Sequence, residues 1–209
     1  MTPEDLASIH PNLYHVAEPD AWPMIKRHGL LSTFAALDLF GVDHEKRKEI
    51  TEFCRTETVA ITHHNHGRIV INDNKPMSEK ALHKCLDNGL TPKDWLKILN
   101  RRVFFWSSKE GLDRLLNARM NQGRERLVLV FDTLRLAKAH KLQMEICPIN
   151  SGSTIRKPAR RGMHTFTPLP EMTYKAWRKK RGKNDKILEV TVLNHVPNVQ
   201  NFVTERFIT

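Results

Sequence analysis

Apolar positions come in short blocks separated by polar punctuation, the pattern of strands interleaved with amphipathic helices. Residues 3–10 read as a short helix with Pro3 near its start, broken by Pro11-Asn12. Leu13-Tyr14-His15-Val16-Ala17 then reads as a buried strand with one histidine inside it. A helix beginning near Pro19-Asp20 stops at Gly29, which returns the chain at Leu30-Leu31-Ser32-Thr33. Ser32 caps a helix through Phe34, Leu37 and Phe40 to Gly41, and a polar helix runs from Asp43 to about Arg55. Two β-branched runs, Thr58-Val59-Ala60-Ile61-Thr62 and Arg68-Ile69-Val70-Ile71, flank His63-His64-Asn65-His66-Gly67, which reads as a hairpin or longer connection.

Helical spacing returns over 78–86 with Ser78 as cap, and from Thr91-Pro92 through Trp95, Ile98 and Leu99. The dense run Arg102-Val103-Phe104-Phe105-Trp106-Ser107-Ser108 is a strand with a polar exit, followed by a helix from Gly111 to Met120. Residues 126–133 are continuously apolar at their centre, the mark of a central strand. After a short helix over 134–140, Met144–Ile149 reads as an edge strand because it holds Pro148. The pattern is lost from Asn150 to Pro170, a long loop of the kind that carries function. Glu171 to Arg181 is helical, 182–185 is a turn, and two last strands cover 187–192 and 201–207. The expectation is one α+β domain over residues 1–209, with helices mainly from the N-terminal half.

Composition narrows the class. The 209 residues are 40% hydrophobic and 27% charged, a globular composition with no run long enough to span a membrane and no leader-like start. Cys54, Cys85 and Cys147 are widely spaced, which suits the cytoplasm and indicates neither disulfide framework nor zinc ribbon. The net charge is +11, and residues 151–186 hold eleven Lys/Arg against Glu171 and Asp185, a net +9. That favours polyanionic partners. The histidines at 63, 64 and 66 sit in a loop without fixed facial geometry or nearby Cys or carboxylate, so no metal is expected.

His15 points away from Tyr14 and Val16, toward either a polar cleft or a hydrogen-bonded pocket in the core. Glu189 lies in Leu188-Glu189-Val190-Thr191-Val192, where alternation alone would let it face solvent. Leu13-Tyr14-His15, Gly29-Leu30 with Ser32-Thr33, the Val103-Phe104-Phe105-Trp106 strand, and Glu189 followed by Val196-Pro197 together resemble NAD-dependent ADP-ribosyltransferases, nearest to the bacterial toxins that modify DNA bases. The landmarks span residues 13–203 in the family's order.

The resemblance implies an ADP-ribosyltransferase-like split β-sheet with NAD in a cleft between its halves. It implies that Glu189 stabilises the oxocarbenium-like state formed as nicotinamide leaves, with Glu171 as rival. His15 would bond a ribose hydroxyl with Tyr14 packed behind it, and Gly29, Ser32 and Thr33 would touch the dinucleotide. The second NAD-contacting group falls among Phe105, Trp106 and an arginine, Arg102, Arg114 or Arg119, because the family's arginine or tyrosine has no clear match in Phe105-Trp106-Ser107-Ser108. Arg156, Lys157, Arg160, Arg161, Tyr174, Trp177, Arg178 and Arg181 combine cations with aromatic faces, the mixture that grips phosphates and stacks bases, so nucleic acid is the favoured acceptor. The role implied is a toxin or phage-defence enzyme, accompanied by an antitoxin or macrodomain partner. The competing readings are a nucleic-acid-binding protein without catalysis and a nuclease-type toxin.

Overall fold

A computed structural model describes residues 1–119, 121–181 and 186–209, and of residues 180 and 181 the backbone alone. The turn expected over 182–185, the side chain of Arg181 and the helix end expected at Met120 lie outside the described residues.

The sheet grows from strand β1 (Asn12–Ala17), which pairs antiparallel with β6 (Leu127–Asp132) over its whole length, from Asn12↔Asp132 to Ala17↔Leu127. Strand β6 is buried along residues 127–131, which explains its unbroken apolar run. On its other side lies β11 (Val203–Ile208), and β1 is followed by β5 (Arg102–Trp106), β9 (Glu189–Leu193), β7 (Met144–Cys147) and β8 (Thr167–Pro168). These neighbours pair antiparallel. Contrary to expectation, β7 is an interior strand: it ends at Cys147, before Pro148, so the proline costs the ladder nothing.

The helices are α1 (Pro3–Ile9), α2 (Trp22–His28), α3 (Thr33–Leu39), α4 (His44–Glu52), α5 (Glu79–Cys85), α6 (Pro92–Asn100), α7 (Lys109–Leu116), α8 (Thr133–His140) and α9 (Tyr174–Arg181). Seven starts among the described residues are fixed by side-chain caps from Thr2, Ser32, Asp43, Thr91, Ser108, Asp132 and Thr173, which satisfy otherwise orphaned amides. The helix expected from residue 171 is resolved into a 3-10 turn at Leu169–Glu171 and then α9.

Alternation along the strands makes two cores. Leu13, Ala17, Val103, Phe105, Leu129, Phe131, Met144, Ile146, Val190 and Val192 share one face and one cluster, together with Trp177 of α9. On the other face Cys147 packs with Trp95, Leu82, Cys85 and Phe166 beneath α5 and α6. A third cluster joins α3 and α4 to the hairpin of β3 (Val59–His63) and β4 (Gly67–Ile71).

The site is positioned by an interruption. Strands β1 and β5 share a single register pair, Tyr14↔Trp106, although each pairs extensively with its other neighbour. Where they diverge, β2 (Leu30–Leu31) pairs with β10 (His195–Val196) as a separate ribbon. Gly29 makes that approach feasible: at φ +75°, a Cβ there would lie 2.3 Å from the Val196 carbonyl oxygen.

A candidate active-site cleft

The opening between β1 and β5 leads into a cleft of about 840 Å³ whose wall includes both His15 and Glu189. Helix α2, the turn at Gly29, strand β4, the segment 72–76 and the start of the 150–170 loop complete the wall.

His15 shares its strand face with buried Leu13 and Ala17. Its Nδ1 donates to the Phe104 carbonyl oxygen at 2.9 Å, the direction required because a carbonyl only accepts. The ring is therefore the Nδ1–H tautomer, which leaves Nε2 as an acceptor. Burial holds its pKa below the ordinary value, outweighing the Phe104 bond, so the ring is neutral.

Glu189 opens β9 opposite Trp106 on one side and Cys147 on the other. It is 5% exposed. Burial pushes its carboxyl up to about 7, against hydrogen bonds that favour the ionised form. The Ser151 amide donates to Oε1 at 3.1 Å and the Ser151 hydroxyl to Oε2 at 2.7 Å. Serine 151 thus grips both oxygens, a contact that the patternless 150–170 segment gave no means of foreseeing. Arg161 completes the arrangement by donating from Nη1 to the Ser151 carbonyl at 2.9 Å.

Of the remaining expected dinucleotide contacts, Gly29, Thr33 and Trp106 line the cleft. Phe105 does so only in part, because its side chain is 1% exposed and packs edge-on against Phe131 in the core. Ser32 is buried and its hydroxyl caps α3 by accepting from the Ala35 amide. Tyr14 stands outside the cleft wall, although the register puts it on the same sheet face as Trp106 and Glu189, opposite His15. Arg119 is exposed and also stands outside the wall, whereas Arg102 and Arg114 are part of it. Arg102 is committed to Glu145 through two bonds of 2.8 and 3.0 Å, and Arg114 to Glu110 at 3.1 Å. Glu171 is exposed and outside the wall.

The basic segment divides. Arg156 and Lys157 are exposed, on the same loop as Ser151. Arg160 is exposed but tied to the Lys84 and Leu86 carbonyls and to Asp87. Arg161 is 2% exposed and Trp177 1%, so neither presents itself to a ligand at the surface. Trp177 turns inward because α9 needs an apolar anchor, which leaves Tyr174 half-buried under Arg178 at 5.9 Å. The proposed stacking face on α9 is therefore corrected to one partly covered tyrosine.

Among the described residues no group of three or more His, Cys, Asp or Glu is arranged to hold a metal ion, and no helix is long and apolar enough to cross a membrane.

The chain belongs to a family of unknown function, DUF7002, whose model matches residues 11–203. No curated protein matches it.

Proposed function

We propose that this chain is an NAD-dependent ADP-ribosyltransferase, built on the split-sheet fold of that superfamily and acting on nucleic acid. The observation that carries the reading is that His15 and Glu189, from near opposite ends of the chain and from opposite faces of the sheet, both border one cleft where β1 and β5 separate. At about 840 Å³ the cleft lies in the size range of cofactor sites.

NAD supplies an ADP-ribosyl group whose ribose carbon gains positive charge as nicotinamide departs. The carboxylate of Glu189 would stabilise that charge, and with Ser151 on each oxygen it would keep lone pairs to accept from a ribose hydroxyl. His15 fixes the sugar through Nε2, since its Nδ1 proton is held by Phe104. Trp106, beside Glu189 in the register, offers an aromatic face to the departing ring, and Lys75 and Lys186 on the wall offer charge to phosphates. With its carboxyl pushed up to about 7, Glu189 becomes fully ionised only above neutrality, so activity should rise with pH through that region.

The net charge of +11 and the exposed Arg156 and Lys157 favour a nucleic-acid acceptor, and the widely spaced cysteines suit the cytoplasm. A toxin or phage-defence role with an antitoxin or macrodomain partner belongs to the same reading. The charge alone favours a second reading, a nucleic-acid-binding protein without catalysis.

Incubation with adenine-labelled NAD and a single-stranded oligonucleotide separates the two. Label transferred by the native chain and lost in Glu189→Gln supports the enzyme; oligonucleotide binding with neither NAD binding nor nicotinamide release leaves only the second reading.

A further inference from the structure

The serine that grips Glu189 is itself held by a buried cation. The guanidinium of Arg161 donates from Nη1 to the Ser151 carbonyl at 2.9 Å and from Nε to the Ala159 carbonyl at 3.0 Å, and it lies 5.8 Å from the Trp95 ring centroid. Its backbone is pinned as well, donating to the Cys85 carbonyl at 2.9 Å and accepting from the Asp87 amide at 2.8 Å. Hydrogen bonds of this kind need only a neutral donor. Burying a full charge costs several kcal/mol in general, and Arg161 makes no ion pair among the described residues to offset it. The buried carboxylate it faces is Glu189, one residue away through Ser151. The other group acting on the carboxylate is the Cys147 thiol from β7, with Trp106 of β5 opposite Glu189 in the register, and Cys85 of α5 faces the guanidinium.

We propose that Arg161 is a positioning residue for Glu189: through the Ser151 carbonyl it fixes the loop that donates two hydrogen bonds to the carboxylate, and its charge favours the ionised form. The catalytic importance of this rests on the reading of Glu189 given above, but the geometry is testable without NAD.

The test is a pH titration of the Glu189 carboxyl by 13C NMR, with the resonance identified by its loss in Glu189→Gln. Ser151→Ala and Arg161→Met should each move the midpoint upward by about one pH unit or more, since each removes support for the charged form. Arg161→Lys, which keeps the charge and loses the fork, should move it by less. The pH dependence of nicotinamide release should shift in parallel. If Arg161→Met does not fold, Arg161→Gln, which also removes the charge, carries the test and should move the midpoint upward in the same way. Midpoints unchanged within about 0.2 unit in the charge-removing arginine variants that fold, with only the melting temperature lowered, would overturn the proposal and make Arg161 a staple of the loop. A native chain that releases no nicotinamide removes the enzymatic reading but leaves this titration as informative as before.

Discussion

Replacing Gly29 by alanine tests how the cleft wall is built. At φ +75° and ψ −174° the residue occupies a region that only glycine adopts without strain. The added Cβ would also lie 2.3 Å from the Val196 carbonyl oxygen, 2.7 Å from His195 Nε2 and 3.0 Å from the Pro197 Cα. Two of those three atoms are backbone, so they yield only if β10 moves away from β2. His195 is held in turn by its Nε2 bond to the His28 carbonyl at 2.8 Å. Backbone strain of this kind costs about 1–3 kcal/mol, and the overlap adds to it, so a total of about 3 kcal/mol or more is expected. For a chain of this size that corresponds to a melting temperature lowered by about 6–12 °C. Gly41 is the control: it has φ +59°, but nothing lies within 4 Å of its added Cβ. Gly41→Ala should cost about 1–2 kcal/mol, the strain alone. Urea or thermal unfolding of the two variants measures the difference. Equal losses would refute the claim that close approach of β10, rather than backbone conformation alone, requires glycine at position 29.

Breaking the Arg102–Glu145 pair, whose side chains are 12% and 9% exposed, should destabilise Arg102→Met by about 3–5 kcal/mol, with most of the loss recovered in Arg102→Met/Glu145→Leu; additive losses in that cycle would contradict the pairing. Burial holds His10, His15, His28, His63 and His140 below their unfolded pKa of 6.5, so they stabilise the native state above that pH and the benefit is lost on acidification. Glu189, raised from 4.5 to about 7, acts oppositely, costing stability as pH rises through that window. Glu189→Gln should therefore show a steeper gain in urea midpoint between pH 5 and 7 than the native chain, and a shallower gain would contradict the assignment. Arg156→Ala/Lys157→Ala should weaken oligonucleotide binding and reduce its log–log salt slope by about 1–2, whereas Trp177→Phe should leave the slope alone; the reverse result would restore α9 as the contact surface.

Much of the fold was legible because local rules act alone there. The unbroken apolar run of β6 reflects burial on both faces, and the Thr, Ser and Asp caps mark helix starts through bonds made within four residues. The odd histidine in β1 was legible as a choice between cleft and pocket, and the structure combines the two: one ring nitrogen is bonded within the fold while the residue lines the cleft. Long-range contacts were not legible. Pro148 made β7 look like an edge because the strand's end, one residue earlier, is set by pairing with β9. Trp177 and Arg161 sat in a cationic segment whose average hid two inward-facing side chains, and Ser151 meets Glu189 only through tertiary folding.

The central claim is that His15 and Glu189, from opposite faces of the sheet, border one NAD-binding cleft. It is tested most directly by titrating NAD into a single sample in which the His15 imidazole nitrogens and the Glu189 carboxyl carbon are both observed by NMR. Both sets of resonances should move with the same saturation curve, and His15→Ala should weaken binding while leaving the fold intact. Saturating NAD that moves neither residue, or moves one without the other, would contradict it.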